Sequence, residues 1–156
     1  MSFSQKIEND LLPEVEKSFI NRSIFIEEAL KHHNENNYKI SIPLMLIHAD
    51  GITMDIFGIP LFELQEKRKE WMKRTHIEDN DIRDYLSLLP LTIDSAISAN
   101  RSARKVKSYY KFNRHEILHG EDLNYGTREN SYRCIMLLKY LIDVNDYIRN
   151  QQLKLI

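Results

Sequence analysis

The chain has 156 residues, of which 42% are hydrophobic and 29% are charged. This length and composition are typical of one globular domain and exclude a disordered chain, which would have fewer large apolar residues. Lys and Arg number 22 against 23 Asp and Glu, so the net charge is −1. That balance excludes nucleic-acid binding driven by total charge. Any contact with RNA or DNA must come from a local basic patch. We expect one domain over residues 1–156.

Cysteine content and the distribution of apolar residues indicate the compartment. The single cysteine, Cys134, excludes an internal disulfide and a Cys-rich zinc module, so a reducing, cytoplasmic location is expected. No apolar run reaches the ~18 residues that a membrane span needs. The first ten residues include acidic side chains and no long apolar core. We therefore expect neither a signal peptide nor a membrane partner.

Two helices are predicted in the first third of the chain. The first covers residues 13–34, with Pro13 in its opening turn, and ends at the NENN segment 34–37. The second begins near Ser41, a plausible N-cap, with Pro43 in the first turn. Gly58 and Pro60 interrupt this second helix. Its apolar residues recur at a 3-4-3-4 spacing, which predicts one buried face composed of Ile42, Met45, Ala49, Ile52 and Ile56.

Two more main helices are predicted after a middle region with short connecting helices. The third covers residues 101–119 and stops at Gly120, because glycine commonly follows a helix end. The last is capped by Thr127 and runs to about Asn150. Its 3-4-3-4 stripe predicts a second buried face, made of Cys134, Leu137, Leu141, Val144 and Ile148. With no strand-like alternation, the pattern favours an all-α helical bundle of four main helices.

The segment NRHEILHG, residues 113–120, contains two overlapping motifs. His115-Glu116-x-x-His119 has the form of a zinc-hydrolase helix, with two histidines about 40° apart that can face one metal. Arg114 with His119 is a pair suited to ribonuclease chemistry, since arginine can hold a phosphate while histidine moves a proton. By chance the zinc pattern is expected roughly 0.02 times in such a chain and the arginine–histidine pattern roughly 0.4 times. The zinc pattern is the rarer coincidence, so on frequency alone the zinc interpretation is favoured over the ribonuclease interpretation.

The surrounding sequence favours RNA. No downstream histidine and no familiar acidic spacing supplies a third zinc ligand, and Gly120 follows His119 directly. No acidic residue lies between Asp94 and Glu116, a stretch that carries basic residues with interleaved aromatic rings. Phosphates bind such charges and single-stranded bases stack on such rings. The candidate RNA-binding residues are Arg101, Arg104, Lys105, Lys107, Tyr109, Tyr110 and Lys111.

The strings NRHEILHG and NYGTRENSYRCIMLLKYL resemble bacterial HEPN-type domains, named for higher eukaryotes and prokaryotes nucleotide-binding. The family motif is an arginine, a polar residue and a histidine four to six residues after the arginine, which Arg114, His115 and His119 match. The segment IPLMLIHADGITMDIFG, residues 42–58, resembles the second helix of proteins with this motif. The resemblance covers roughly residues 42–150.

The resemblance implies a HEPN-like bundle that forms a homodimer with its motifs facing each other. Many members are metal-independent endoribonucleases of toxin–antitoxin or anti-phage systems, which implies an RNA substrate, no cofactor and an antitoxin or defence-system partner. Arg114 and His119 would then be catalytic. Beside them, Asn113 could brace the motif through hydrogen bonds or merely be exposed. His115 could be a second phosphate contact or a helix-packing residue, and a supporting role is favoured over a catalytic one.

Two alternatives stay open beside the ribonuclease: a zinc hydrolase that uses His115, Glu116 and His119, and a non-catalytic helical module that binds a partner protein or nucleotide. Among other polar residues, His48 and Asp50 could approach the motif from the second helix, although His48 is more simply a core histidine. The remaining histidines, His32, His33 and His76, are expected at the surface.

Overall fold

The computed structural model describes residues 3–61 and 112–154. Within these two ranges every regular element is a helix, which confirms the all-α prediction. The helices are α1 (Phe3–Ser18), α2 (Ile20–Asn34), α3 (Tyr38–Phe57), α4 (Arg114–Leu118) and α5 (Arg128–Lys154). The predicted middle region and the first part of the predicted third helix lie outside the described residues.

The core forms where α3 packs against α2 and α5, while α1 packs against α2 and α5 from the other side. The two predicted apolar stripes meet in this core. On α3, Ile42, Met45, Ala49 and Ile52 are fully buried and Ile56 is partly buried. The stripe of α5 is buried from Cys134 to Ile148. Both predicted faces are therefore confirmed.

The predicted first helix is wrong in its start and its continuity. α1 begins ten residues before Pro13, at Phe3, and the chain leaves helical geometry at Phe19, where φ is −142° and ψ is 53°. An unbroken helix over residues 3–34 would be ~48 Å long and could not fold back on itself. The break at Phe19 lets both helices reach the core, and the Phe19 ring is itself buried there.

The predicted start of α3 is also wrong. The helix begins at Tyr38, and Ser41 lies inside it, fully buried, with its Oγ 3.1 Å from Ser131 Oγ on α5. Ser131 Oγ is in turn 2.7 Å from His33 Nδ1. His33 is only 5% exposed, so its predicted surface position is wrong. The sequence could not show this, because Ser131 is 90 residues from Ser41 and 98 from His33.

Pro43 therefore lies inside α3, where its missing N–H leaves the carbonyl of Lys39 without a helical donor. The hydroxyl of Tyr125 donates to that carbonyl at 2.8 Å. Tyr125 belongs to the loop between α4 and α5. The proline thus creates the acceptor that attaches this loop to α3.

Three predicted helix boundaries, two ends and one start, are confirmed. α2 ends at Asn34 and α3 ends at Phe57, followed by Gly58 in the left-handed region at φ 65°. Thr127 caps α5 by accepting the N–H of Asn130 at Oγ1, at 3.2 Å. α5 then extends a turn beyond the predicted Asn150, to Lys154.

By length and composition alone, α3 is apolar enough to cross a membrane. Half of its most apolar window is buried inside the bundle. The core helix of a soluble bundle meets the same criteria of length and composition.

Candidate functional site at the motif helix

Asn113 starts the helix that carries the motif. It is 4% exposed, its Oδ1 accepts the N–H of Glu116 at 3.4 Å, and its carbonyl accepts the N–H of Ile117 at 3.0 Å. This is an N-cap, a position that asparagine favours. Phe112 and Asn113 are not helical, so the predicted continuous helix over residues 101–119 is wrong in its described part. Asn113 is therefore buried and hydrogen-bonded to the helix start, and it is not merely exposed.

Gly120 ends the same helix, as predicted. It adopts φ 72°, its N–H donates to Ile117 O at 3.1 Å, and the N–H of Glu121 donates to Glu116 O at 2.7 Å. These two bonds form a Schellman motif, in which a left-handed glycine satisfies the last carbonyls. His119 is consequently the last residue before the turn, and its side chain is exposed.

Arg114 is bound to the central helix. Its Nη2 lies 2.8 Å from Oδ2 of Asp50 on α3, with side chains that are 14% and 26% exposed. Oδ1 of Asp50 accepts the N–H of Leu61 at 2.8 Å. One carboxylate therefore holds both the motif arginine and the chain that follows α3. This confirms the expectation that Asp50 approaches the motif.

His48 does not join the site. Its ring stacks on Phe25 of α2, with centroids 4.7 Å apart and planes 21° apart. Residues two apart on a helix point about 200° apart, so His48 and Asp50 face different neighbours. Burial lowers the pKa of His48, and the nearby Arg22 charge lowers it further. His48 is thus buried, as the simpler expectation of a core histidine has it, but its buried Nδ1 makes no hydrogen bond, so the expectation that it is satisfied is wrong.

Arg114 is the first residue of α4, and His119 directly follows its last residue. In an ideal helix, residues five apart differ by about 140° in direction, so one face cannot carry both. Arg114 is directed to α3, whereas His119 is exposed beside Gly120. The arrangement offers a positioned cation and an accessible imidazole joined by one short, capped helix.

Several predicted site residues lie outside the described parts. They are the side chain of His115 and the candidate RNA-binding residues in the range 101–111, together with His76. Among the side chains that are described, no three His, Cys, Asp or Glu residues form a group that could hold a metal ion. The zinc hypothesis depends on His115, whose side chain is outside the described parts, and it stays a prediction.

Sequence reasoning missed the role of Tyr125, which fixes the loop that follows the motif. Pro43 was the available signal, because a proline inside a helix always leaves a carbonyl four residues earlier in need of a donor. The sequence does not identify the donor for that carbonyl, and the structure shows that it is the hydroxyl of Tyr125. Asp50, by contrast, was found from the second-helix segment itself.

Comparisons of the chain with protein-family models, curated proteins and solved structures give no match. The functional assignment consequently rests on the residues and geometry of the chain itself.

Proposed function

We propose that this protein is a metal-independent, HEPN-type endoribonuclease of the cytoplasm. The observation that carries the proposal is a positioned Arg114 at the start of one capped helix, with an exposed His119 directly after the end of that helix. Asp50 holds the guanidinium through an ion pair, so the arginine is already oriented before RNA binds. Preorganised cations of this kind stabilise charge that develops in a transition state.

The proposed reaction uses a nucleophile that belongs to the substrate. His119 removes the proton of a ribose 2′-hydroxyl, whose oxygen attacks the adjacent phosphorus. Arg114 stabilises the added negative charge on the five-coordinate phosphate. The 5′-oxygen leaves with a proton supplied by His119 of the partner subunit. The products are a 2′,3′-cyclic phosphate and a 5′-hydroxyl end.

A second candidate function is a non-catalytic helical module that binds a partner protein or a nucleotide. The Arg114–Asp50 ion pair favours it, because an arginine that is 14% exposed and paired with a core-helix carboxylate could serve structure alone. Removing one partner of such a pair destabilises a fold. The ion pair supports the fold in either case. The ribonuclease and the non-catalytic module would therefore share one architecture and differ only in whether they cleave RNA.

The direct test is cleavage of a mixed RNA pool by the purified protein in excess EDTA. The ribonuclease proposal predicts cleavage that chelation does not change. Cleavage that stops on chelation and returns with zinc would instead support a hydrolase that uses His115, Glu116 and His119. If neither condition gives cleavage, the non-catalytic module is favoured.

We further propose that the protein acts as a symmetric homodimer, because the scheme needs two motif helices around one cleft. An antitoxin or a defence-system protein would be its regulatory partner. Light scattering at micromolar concentration should give twice the monomer mass of 18.6 kDa. A strict monomer would remove the two-histidine mechanism.

A further inference from the structure

The central helix α3 carries an exposed apolar row on the side that points away from the core. Ile40, Ile47 and Met54 recur every seven residues, which places them in line along one side of the helix. Phe25 of α2 borders this row, because its ring stacks on His48, the residue that follows Ile47. The four apolar side chains are between 45% and 53% exposed. We call these four side chains the α3 face.

The α3 face is large enough to be an interaction surface. At half exposure, four large side chains present about 350 Å² of apolar surface, which is within the range of functional patches on single chains. Single exposed apolar residues are normal, whereas a row of them along one helix marks a contact surface. Two such faces would bury about 700 Å² of apolar surface. An interface that is about 60% apolar would then total about 1,200 Å², the lower limit for a stable complex.

The carboxylates of α3 that flank this face are already paired with arginines. Asp50 binds Arg114 on one flank of the row, and Asp55 binds Arg22 on the other flank. Like charges that meet across an interface oppose association, but these ion pairs leave neither carboxylate uncompensated. The α3 face can therefore meet an identical face without repulsion between the carboxylates.

The row is also symmetric about its central residue. Ile47 lies seven residues from Ile40 and seven from Met54, and the row is about 21 Å long. In an isologous interface the same surface serves both partners, so a contact made by one chain is repeated by the other. Two antiparallel α3 helices would place both Ile47 side chains at the twofold axis. Ile40 of each chain would then pack against Met54 of the partner subunit.

This arrangement brings the two motif helices to one edge of the interface. Asp50 follows Ile47 by three residues, so it borders the row and holds Arg114 at that flank. A twofold axis that reverses the direction of α3 keeps a given flank on the same side in both chains. The two Asp50 residues would be offset along α3 by about 9 Å, twice the rise of three residues. Both motif arginines would therefore lie at one shared cleft.

We propose that two copies of this chain associate through the α3 face, as an antiparallel pair of α3 helices with Ile47 at the twofold axis. The inference rests on the proposed homodimer, for which it identifies the contact surface and the direction of the helices. An apolar interface at the lower limit of size predicts a dissociation constant of about 1 μM.

Light scattering of the full chain tests the α3 face. At about 20 μM, well above the expected dissociation constant, the native chain should give twice the monomer mass of 18.6 kDa. Ile47→Asp should give the monomer mass, because it places two carboxylates at the axis. Leu153→Asp is the matched control, since Leu153 is also exposed but lies at the far end of α5, and this variant should stay dimeric. A monomeric native chain or a dimeric Ile47→Asp variant overturns the proposal.

A mixture of two variants separates loss of the interface from loss of folding. Ile47→Lys should be monomeric for the same reason as Ile47→Asp. An equal mixture of the two should form a heterodimer, because opposite charges then meet at the axis. A mixture that stays monomeric contradicts the placement of Ile47 on the twofold axis.

RNA cleavage by the same samples separates this inference from the proposed function. A native dimer that dissociates on Ile47→Asp but cleaves no RNA supports the interface and contradicts the ribonuclease. A native dimer that cleaves RNA, and whose Ile47→Asp variant is still dimeric, supports the ribonuclease and overturns the interface.

Discussion

Asp50 uses its two carboxylate oxygens for two different purposes. One oxygen binds the guanidinium of Arg114, and the other accepts the N–H of Leu61. A carboxylate with two such partners has a fixed orientation, which in turn fixes the arginine. The motif segment by itself does not contain this interaction, because the acidic partner lies 64 residues earlier in the chain.

His48, two residues before Asp50, gives a pH-dependent contribution to stability. Burial and then the Arg22 charge lower its pKa in the folded protein below the ordinary value of 6.5. The unfolded chain therefore binds a proton at a higher pH than the folded one does. Between these two pKa values the unfolded state holds more protons, so the free energy of unfolding decreases as the pH falls below 6.5.

We predict that the variant His48→Gln loses part of this pH dependence. Urea unfolding at pH values of about 7.5 and about 5.5 should show a smaller drop in stability for the variant than for the native chain. Carboxylates titrate in both proteins, so the comparison isolates the histidine. Equal drops in the two proteins would show that His48 is not responsible.

At the scale of the element, α4 depends on its two caps. Five residues are far fewer than an isolated helix needs for stability in water. The Asn113 N-cap and the Gly120 turn satisfy its end groups, and the buried Phe112 and Ile117 attach it to the core. The orientation of Arg114 and His119 follows from these contacts.

We predict that Asn113→Ala lowers the free energy of unfolding by about 1 kcal/mol, the usual effect of losing an N-cap. RNA cleavage should fall as well, because the helix start that positions Arg114 loosens. Asn113→Ser keeps a capping oxygen. Its free energy of unfolding and its rate of RNA cleavage should therefore be closer to those of the native protein. A stability of Asn113→Ala equal to that of the native protein would show that the cap has no role.

The helices also show which features of the fold the sequence predicts. The buried stripes of α3 and α5 follow from apolar spacing, and Gly58, Gly120 and Thr127 mark helix ends through local chemistry. The break at Phe19 and the burial of Ser41 depend on contacts with residues distant in the chain. Local patterns therefore predicted the faces of helices better than their starts.

On the scale of the whole molecule, α3 holds both the motif helix and the start of α2. Asp50 binds Arg114 of the motif helix, whereas Gly51 and Asp55 bind Arg22 of α2. The approach of Asp50 to the motif could be predicted from the second-helix segment. The contacts of Arg22 could not, since Gly51 and Asp55 lie 29 and 33 residues later in the chain and meet Arg22 only when α2 packs antiparallel to α3.

The central claim is that Arg114 and His119, and not the overlapping zinc motif, carry out the chemistry. RNA cleavage by Arg114→Ala, His119→Ala and Glu116→Ala tests it directly, with circular dichroism as the control for folding. We expect Arg114→Ala to cleave RNA about 10²–10³-fold more slowly, by analogy with removal of one oxyanion donor. His119→Ala should be inactive, and Glu116→Ala should stay active because its carboxylate only repels phosphate. A folded but inactive Glu116→Ala beside an active Arg114→Ala would contradict the claim.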